Sequence, residues 1–279
     1  MKLQWYPGHM TKAKRQMQED LKLIDVIIEL VDARIPYSSK NPDIDGLATG
    51  KSRVLLVNKT DLADPAVTKE WVNYYTDKGF FVLELNSKTG TGIKSVNDVI
   101  AKACAKKIEQ NRKKGIINRP MRAMIVGIPN VGKSTFINSF CKKAVAKTGN
   151  KPGVTKGKQW IRLNKDVDLL DTPGILWPKF EDETVGTNIA FIGSVSDEIV
   201  SISDLAFELI VKIKSLGSDA VYEKYGVEKK DDAWETLRDI AIKRGCLAKG
   251  GEPDMDKASA FIIDDFRNGR IGRITLERP

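Results

Sequence analysis

The sequence predicts an α/β fold, a mostly parallel sheet with helices on both faces, followed by an all-α C-terminal region. Three observations carry this. Short β-branched runs alternate with helical segments over roughly the first 170 residues. A glycine-rich loop joins one of these runs to a helix. Beyond about residue 195 only helical periodicity remains.

Taken in order, the chain opens with a polar, basic segment that holds no acid before Glu19. Its Pro7-Gly8 pair marks a turn, and Thr11 can cap a short helix bearing Lys12, Lys14 and Arg15. Asp25 to Asp32 is a Val/Ile-rich strand, followed by a polar loop with Arg34, Pro36 and Pro42. Arg53 to Val57 forms a second strand that ends in Asn58-Lys59-Thr60-Asp61. A helix over 65–77 leads to a third strand, Phe80 to Leu85, which ends in Asn86-Ser87-Lys88. A helix over 93–110 and a basic stretch precede Met121 to Val126, a fourth strand that runs into Gly127-Ile128-Pro129-Asn130-Val131-Gly132-Lys133-Ser134. Residues 141–158 are rich in Lys and Gly and lack apolar periodicity. Lys158 to Leu163 and Asp166 to Leu170 read as paired strands, the second ending in Asp171-Thr172-Pro173-Gly174. The pattern weakens over 178–195, which places the expected division between residues 1–178 and 179–279. Ile199, Ile202, Leu205, Leu209, Ile213 and Leu216 then mark a strong helix, and further helices are expected over 231–244 and 254–267.

At 279 residues the chain can bury two cores. No segment approaches the roughly 20 apolar residues of a membrane span, and no signal-like apolar run opens the chain. Cys104, Cys141 and Cys246 are scattered, which fits reduced thiols in a cytoplasmic protein. A monomer is expected, although the sequence itself does not decide whether dimers form. The net charge of +9 is uneven: residues 1–180 carry 32 Lys and Arg against 17 Asp and Glu, residues 181–279 only 14 against 20. A surplus of that size in one half points to a polyanionic partner, most simply RNA. Phosphate contacts are expected from Lys12, Lys14 and Arg15, from Lys113 and Lys114, and from Arg267, Arg270 and Arg273 in the tail.

The glycine-rich loop fits G-x-x-x-x-G-K-[ST] between a strand and a helix. Its glycines let backbone N–H groups, with those of Val131 and Gly132, point at phosphate oxygens at the start of a helix. Lys133 is placed to neutralise the β- and γ-phosphates, Ser134 to ligate Mg²⁺, and Thr135 to extend the cradle. Asn58-Lys59-Thr60-Asp61 selects the base. The Asp61 carboxylate can accept from guanine N1 and its 2-amino group, a donor pair that adenine lacks. This sets a small-molecule kinase aside. Asn86-Ser87-Lys88 is a looser match to a base-contacting loop. Asp171-Thr172-Pro173-Gly174 matches D-x-x-G, with Asp171 near Mg²⁺ and the Gly174 N–H near the γ-phosphate. Thr155 is either the switch threonine on Mg²⁺ or a plain loop residue.

These elements resemble the TRAFAC class of GTPases in permuted order: N-K-x-D and N-S-K precede the phosphate loop, and Thr155 and D-T-P-G follow it. Together with the Trp5-Tyr6-Pro7-Gly8-His9-Met10 opening and the helical tail, this is similar to the circularly permuted GTPases of the YlqF/YawG family. The resemblance implies binding of GTP and GDP with Mg²⁺, and hydrolysis of GTP by a factor for late assembly of the large ribosomal subunit, in contact with rRNA and ribosomal proteins. The other reading is a nucleotide-gated RNA-binding module whose slow hydrolysis is incidental. Ile175 stands where Ras-like enzymes place a water-orienting Gln. The resemblance suggests His9, the sole histidine, as the replacement; the alternatives are a solvated or an RNA-contacting side chain. Asn130 matches the asparagine that ligates K⁺ in related GTPases, and equally a turn-favouring residue.

Overall fold

The computed structural model describes residues 17–117, 119–142, 159–171, 182–197 and 200–279. Alternation along the central strands sets the layers. In β1 (Val26–Asp32), Val26, Ile28 and Leu30 face one way and Ile27 and Val31 the other, and all are buried. Strand β2 (Ser52–Asn58) divides in the same way, with Val54 and Leu56 opposite Leu55 and Val57. A strand apolar on both faces needs helices above and below it.

With β3 (Phe81–Glu84), β4 (Met121–Val126), β5 (Gln159–Arg162) and β6 (Val167–Asp171), the sheet runs in the order β3-β2-β1-β4-β6-β5. Every pairing is parallel except β5 with β6, the expected hairpin. The parallel strands therefore present Asp32, Asn58, Glu84, Val126 and Asp171 at one common edge, with Asp32 directly opposite Asn58.

Helix α1 (Pro42–Leu47) occupies part of the segment expected as loop; it is only six residues long, capped by the Asn41 side chain, with Pro42 opening it. Helix α2 (Pro65–Asp77) is capped by Asp64, which accepts from the N–H groups of Ala66 and Val67. It packs Trp71 and Tyr75, stacked at 5.5 Å, on the Leu55/Val57 face. The helix expected over 93–110 is divided at Cys104 into α3 (Val96–Ala103) and α4 (Ala105–Lys113). Helix α5 (Lys133–Cys141) follows the glycine-rich loop. Past it, α6 (Glu183–Phe191) fills the stretch where the sequence pattern weakens. Then come α7 (Ile202–Ser215), the six-residue α8 (Ala220–Tyr225), α9 (Ala233–Lys243) and α10 (Met255–Arg267). The three long helices lie within the spans expected for them. Their buried residues, such as Leu209, Ile240 and Ile262, join the core that lies against β1, β2 and β4.

The chain's last residues return to the sheet. Ile274 N–H donates to Leu62 O (3.1 Å) and Leu276 N–H to Arg34 O (2.8 Å). The half-buried Glu277 carboxylate accepts from Tyr37 N–H (2.8 Å), Ser38 N–H (3.1 Å), the Ser38 hydroxyl and Asn188 Nδ2 (2.9 Å). Burial pushes this carboxyl above its ordinary value, and those donors oppose the rise. Glu277→Ala leaves buried donors unpaired, a loss of about 1–3 kcal/mol for each such group. Urea unfolding of the variant is expected to show at least that loss; stability equal to wild type would mean that the strap does not hold the tail.

Candidate nucleotide site

The glycine-rich loop lies at the carboxyl edge, between β4 and α5. Gly127 (φ +154°) and Gly132 (φ +103°) are both in the left-handed half of backbone space. A Cβ on Gly127 would lie 2.8 Å from Leu30 O, and one on Gly132 would lie 2.4 Å from Asn58 Nδ2. Only glycine fits either place. Asn130 also has positive φ (+60°), so the loop curls to bring N–H groups inward at the start of α5. Lys133 is buried, with Nζ 2.9 Å from Gly127 O and 3.0 Å from Ile128 O. Its ammonium thus sits in the mouth of the loop, where phosphate oxygens would replace carbonyls as acceptors. Ser134 and Thr135 occupy the first turn of α5.

Asn58 joins three motifs. Its Nδ2 donates to Val131 O in the phosphate loop (2.8 Å). Its Oδ1 accepts from Ser87 N–H (3.0 Å) and Ser87 Oγ (2.9 Å) in the N-S-K loop. The side chain is buried, so both ends of its amide are matched to partners. Lys59, with φ +62°, donates to Asn130 O (2.7 Å) and pairs with Asp32 at 2.9 Å. Burial holds its ammonium below the ordinary lysine value, although Asp32 opposes this. Asp61 is exposed beyond Lys59, open to a ligand edge. Asn86 organises its own loop: its Oδ1 accepts from Lys88 N–H (2.9 Å) and Thr89 N–H (3.1 Å), and Lys88 is exposed. Asp171 ends β6 in register with Ile125, one strand over from the phosphate loop. His9, Thr155, Gly174 and Ile175 lie outside the described residues, as do Lys12, Lys14 and Arg15.

The residues that sequence reading missed lie behind these motifs. Asp32, fully buried, receives Arg34 through Nε (2.9 Å) and Nη2 (2.8 Å) as well as Lys59. Burial alone would raise its carboxyl; Arg34 and Lys59 hold it well below the usual carboxylate range. Arg34 Nη1 donates onward to Phe266 O (3.3 Å) and Arg267 O (3.2 Å), capping the end of α10. Arg267 in turn donates to Ala190 O (2.9 Å) and Phe191 O (3.0 Å), at the end of α6, and pairs with Asp197. The loop after α6 closes the circuit, because Ser194 Oγ donates to Pro129 O and Asn130 Nδ2 to Gly193 O. Arg273 donates to Thr60 O and Ala63 O beneath the base loop, and Arg270 pairs with Asp264 and Asp265. The three tail arginines expected at RNA thus each bond to other parts of this chain, while Arg270 and Arg273 stay exposed. A signal for part of this was present: an acid that ends the strand beside the one leading into N-K-x-D, and an arginine two residues later.

Two glycines that exclude any Cβ, an interior lysine and an amide that ties base loop to phosphate loop form a cradle suited to a guanine nucleotide. Residues 122–237 match the sequence model described as 50S ribosome-binding GTPase. The chain is 46% identical over 280 residues to ribosome biogenesis GTPase A of Bacillus cereus, spanning 100% of this chain and 95% of that protein. Solved structures share its fold. The GDP-bound structure of TM YlqF is 29% identical, with a TM-score of 0.68 over 95% of this chain and 99% of that one. GNP-bound YlqF from T. maritima is 31% identical, with a TM-score of 0.64 over 96% and 98%. This chain is a GTPase that belongs to the ribosome biogenesis GTPase A family.

Proposed function

We propose that this GTPase acts in late maturation of the large ribosomal subunit, binding the pre-subunit with GTP bound and hydrolysing GTP when the site is mature. One observation carries the nucleotide half of this reading: Asn58 bonds both the phosphate loop and the N-S-K loop, so base and phosphates are read by one rigid unit. The relatives' names and the positive surplus in residues 1–180 support the ribosomal half.

In this reading Asp61 accepts from the guanine edge, with Asn58, Lys59 and the Asn86-Ser87-Lys88 loop holding the base pocket. Lys133 and the N–H groups of Val131 to Thr135 receive the phosphates. Ser134, Asp171 and Thr155 are the residues that would hold Mg²⁺, which neutralises phosphate charge when bound. Asn130 would present its amide oxygen to a K⁺ ion while its Nδ2 stays on Gly193 O. Gly174 supplies an N–H to the γ-phosphate. Ile175 has no hydrogen-bonding group for water, and His9 takes over that role. The helical C-terminal region, residues 179–279, contributes to the ribosome contact.

Co-sedimentation with large subunits tests the assignment: binding is expected to be stronger with a GTP analogue than with GDP, and hydrolysis faster with subunits present. Nucleotide-dependent binding with no stimulation of hydrolysis would favour a nucleotide-gated RNA-binding module with incidental hydrolysis, and equal binding in all nucleotide states would contradict both readings. His9→Ala is expected to lower stimulated kcat by about 10²–10⁴-fold while GTP affinity holds. Full turnover at saturating subunits would remove His9 from the catalytic set.

A further inference from the structure

The opposite end of the sheet carries a second feature. The starts of β2 and β3 and the α3–α4 junction border an open groove of about 520 Å³. Lys51, Arg53, Lys78, Lys102 and Lys106 line it, and no carboxylate does. Arg53 is turned inward. It pairs with Glu29 at 2.8 Å and with Asp45, and its guanidinium lies 4.6 Å from the centre of the Phe80 ring, so it forms the floor. The four lysines stand at the rim. Lys51 donates to Ile24 O (2.8 Å), and Lys78 lies over the Tyr74 ring at 4.3 Å. Lys102 and Lys106 are exposed, four residues apart across the Cys104 break. Among them Phe81, the first residue of edge strand β3, is 40% exposed.

An exposed ring set among lysines, in a groove that no carboxylate lines, is what a single-stranded nucleic acid requires: cations for successive phosphates and a π-face for one base. An acidic peptide would use the lysines and leave the ring uncovered. Duplex RNA presents no unstacked base to the ring. We propose that this groove binds single-stranded RNA, with Phe81 stacking on a base and Lys51, Lys78, Lys102 and Lys106 contacting phosphates. The proposal rests on the reading that the protein works on rRNA, and it gives that contact a place. Asn58 and Ser52 stand at opposite ends of β2, about 20 Å apart at some 3.3 Å per residue, so RNA here leaves the nucleotide site open.

The test uses the full chain and a fluorescein-labelled 12-nucleotide oligo(rA), with binding followed by anisotropy across a KCl series. Lys78→Ala/Lys102→Ala/Lys106→Ala is expected to flatten the slope of log K against log salt by about 2, at roughly 0.7 per lost single-strand phosphate contact. Phe81→Ala is expected to weaken binding about 5- to 100-fold with the slope unchanged. GDP affinity should match wild type in both, which shows that the variants are folded. Wild-type slope and affinity in both variants would overturn the groove and leave the ribosomal reading standing. So would a wild type that co-sediments with large subunits but does not bind the oligonucleotide. Binding of poly-glutamate in its place would assign the groove to an acidic polypeptide. A wild type that binds neither oligonucleotide nor subunits would overturn both readings.

Discussion

The buried carboxylate of Asp32 is the constraint on which the nucleotide end depends. Moving an unpaired carboxylate into a protein interior costs several kcal/mol, which only close cations and full hydrogen bonding offset. Arg34 and Lys59 supply both, and each has a second duty. Lys59 reaches the phosphate loop at Asn130 O, while Arg34 reaches the end of α10 at Phe266 O and Arg267 O. Loss of the Asp32 charge would therefore strand the buried Arg34 and the half-buried Lys59, cations in two different parts of the molecule. Because the carboxyl is held below its unfolded value, its contribution to stability is complete above the ordinary carboxylate range near pH 4 and is lost as pH falls below it.

The strands and the nucleotide loops were legible in the sequence because their signals are local. A β-branched run such as Val26 to Val31 allows little other than a buried strand, and G-x-x-x-x-G-K-S has few other uses. The short helices α1 and α8 were not legible, since six residues cannot display a periodicity. Nor was the strap from Arg273 to Glu277, whose bonds to Thr60, Leu62 and Ser38 span more than two hundred positions. No local pattern marks a contact of that range. Nor were the partners of Arg267, Arg270 and Arg273 legible, because a sequence does not display the backbone carbonyls and carboxylates that they meet. What Asn86 does within its own loop was not legible either: its side chain shapes the turn that carries Ser87 and Lys88.

The order of the motifs gives these contacts a mechanical sense. With N-K-x-D early and the phosphate loop late, the helical region follows D-T-P-G directly in sequence. It also touches the phosphate loop, through Ser194 on Pro129 O and Asn130 on Gly193 O, and supports the base loop through Arg273 and Ile274. Nucleotide contacts at either loop therefore bear on elements that belong to the C-terminal helices. A GTPase built this way can report its nucleotide to a large partner through packing already in place, as long as those bonds tighten together.

Hydrogen exchange read by mass spectrometry, with and without GDP, tests that connection most directly. If the base loop and the C-terminal strap form one unit, GDP slows exchange at the amides of Ile274 and Leu276 and at the end of α10, as well as in the phosphate loop. In Asp32→Asn the distant protection should be lost while that of the phosphate loop persists. Protection by GDP confined to the phosphate loop, α5 and the base loop in the wild-type protein would contradict the account.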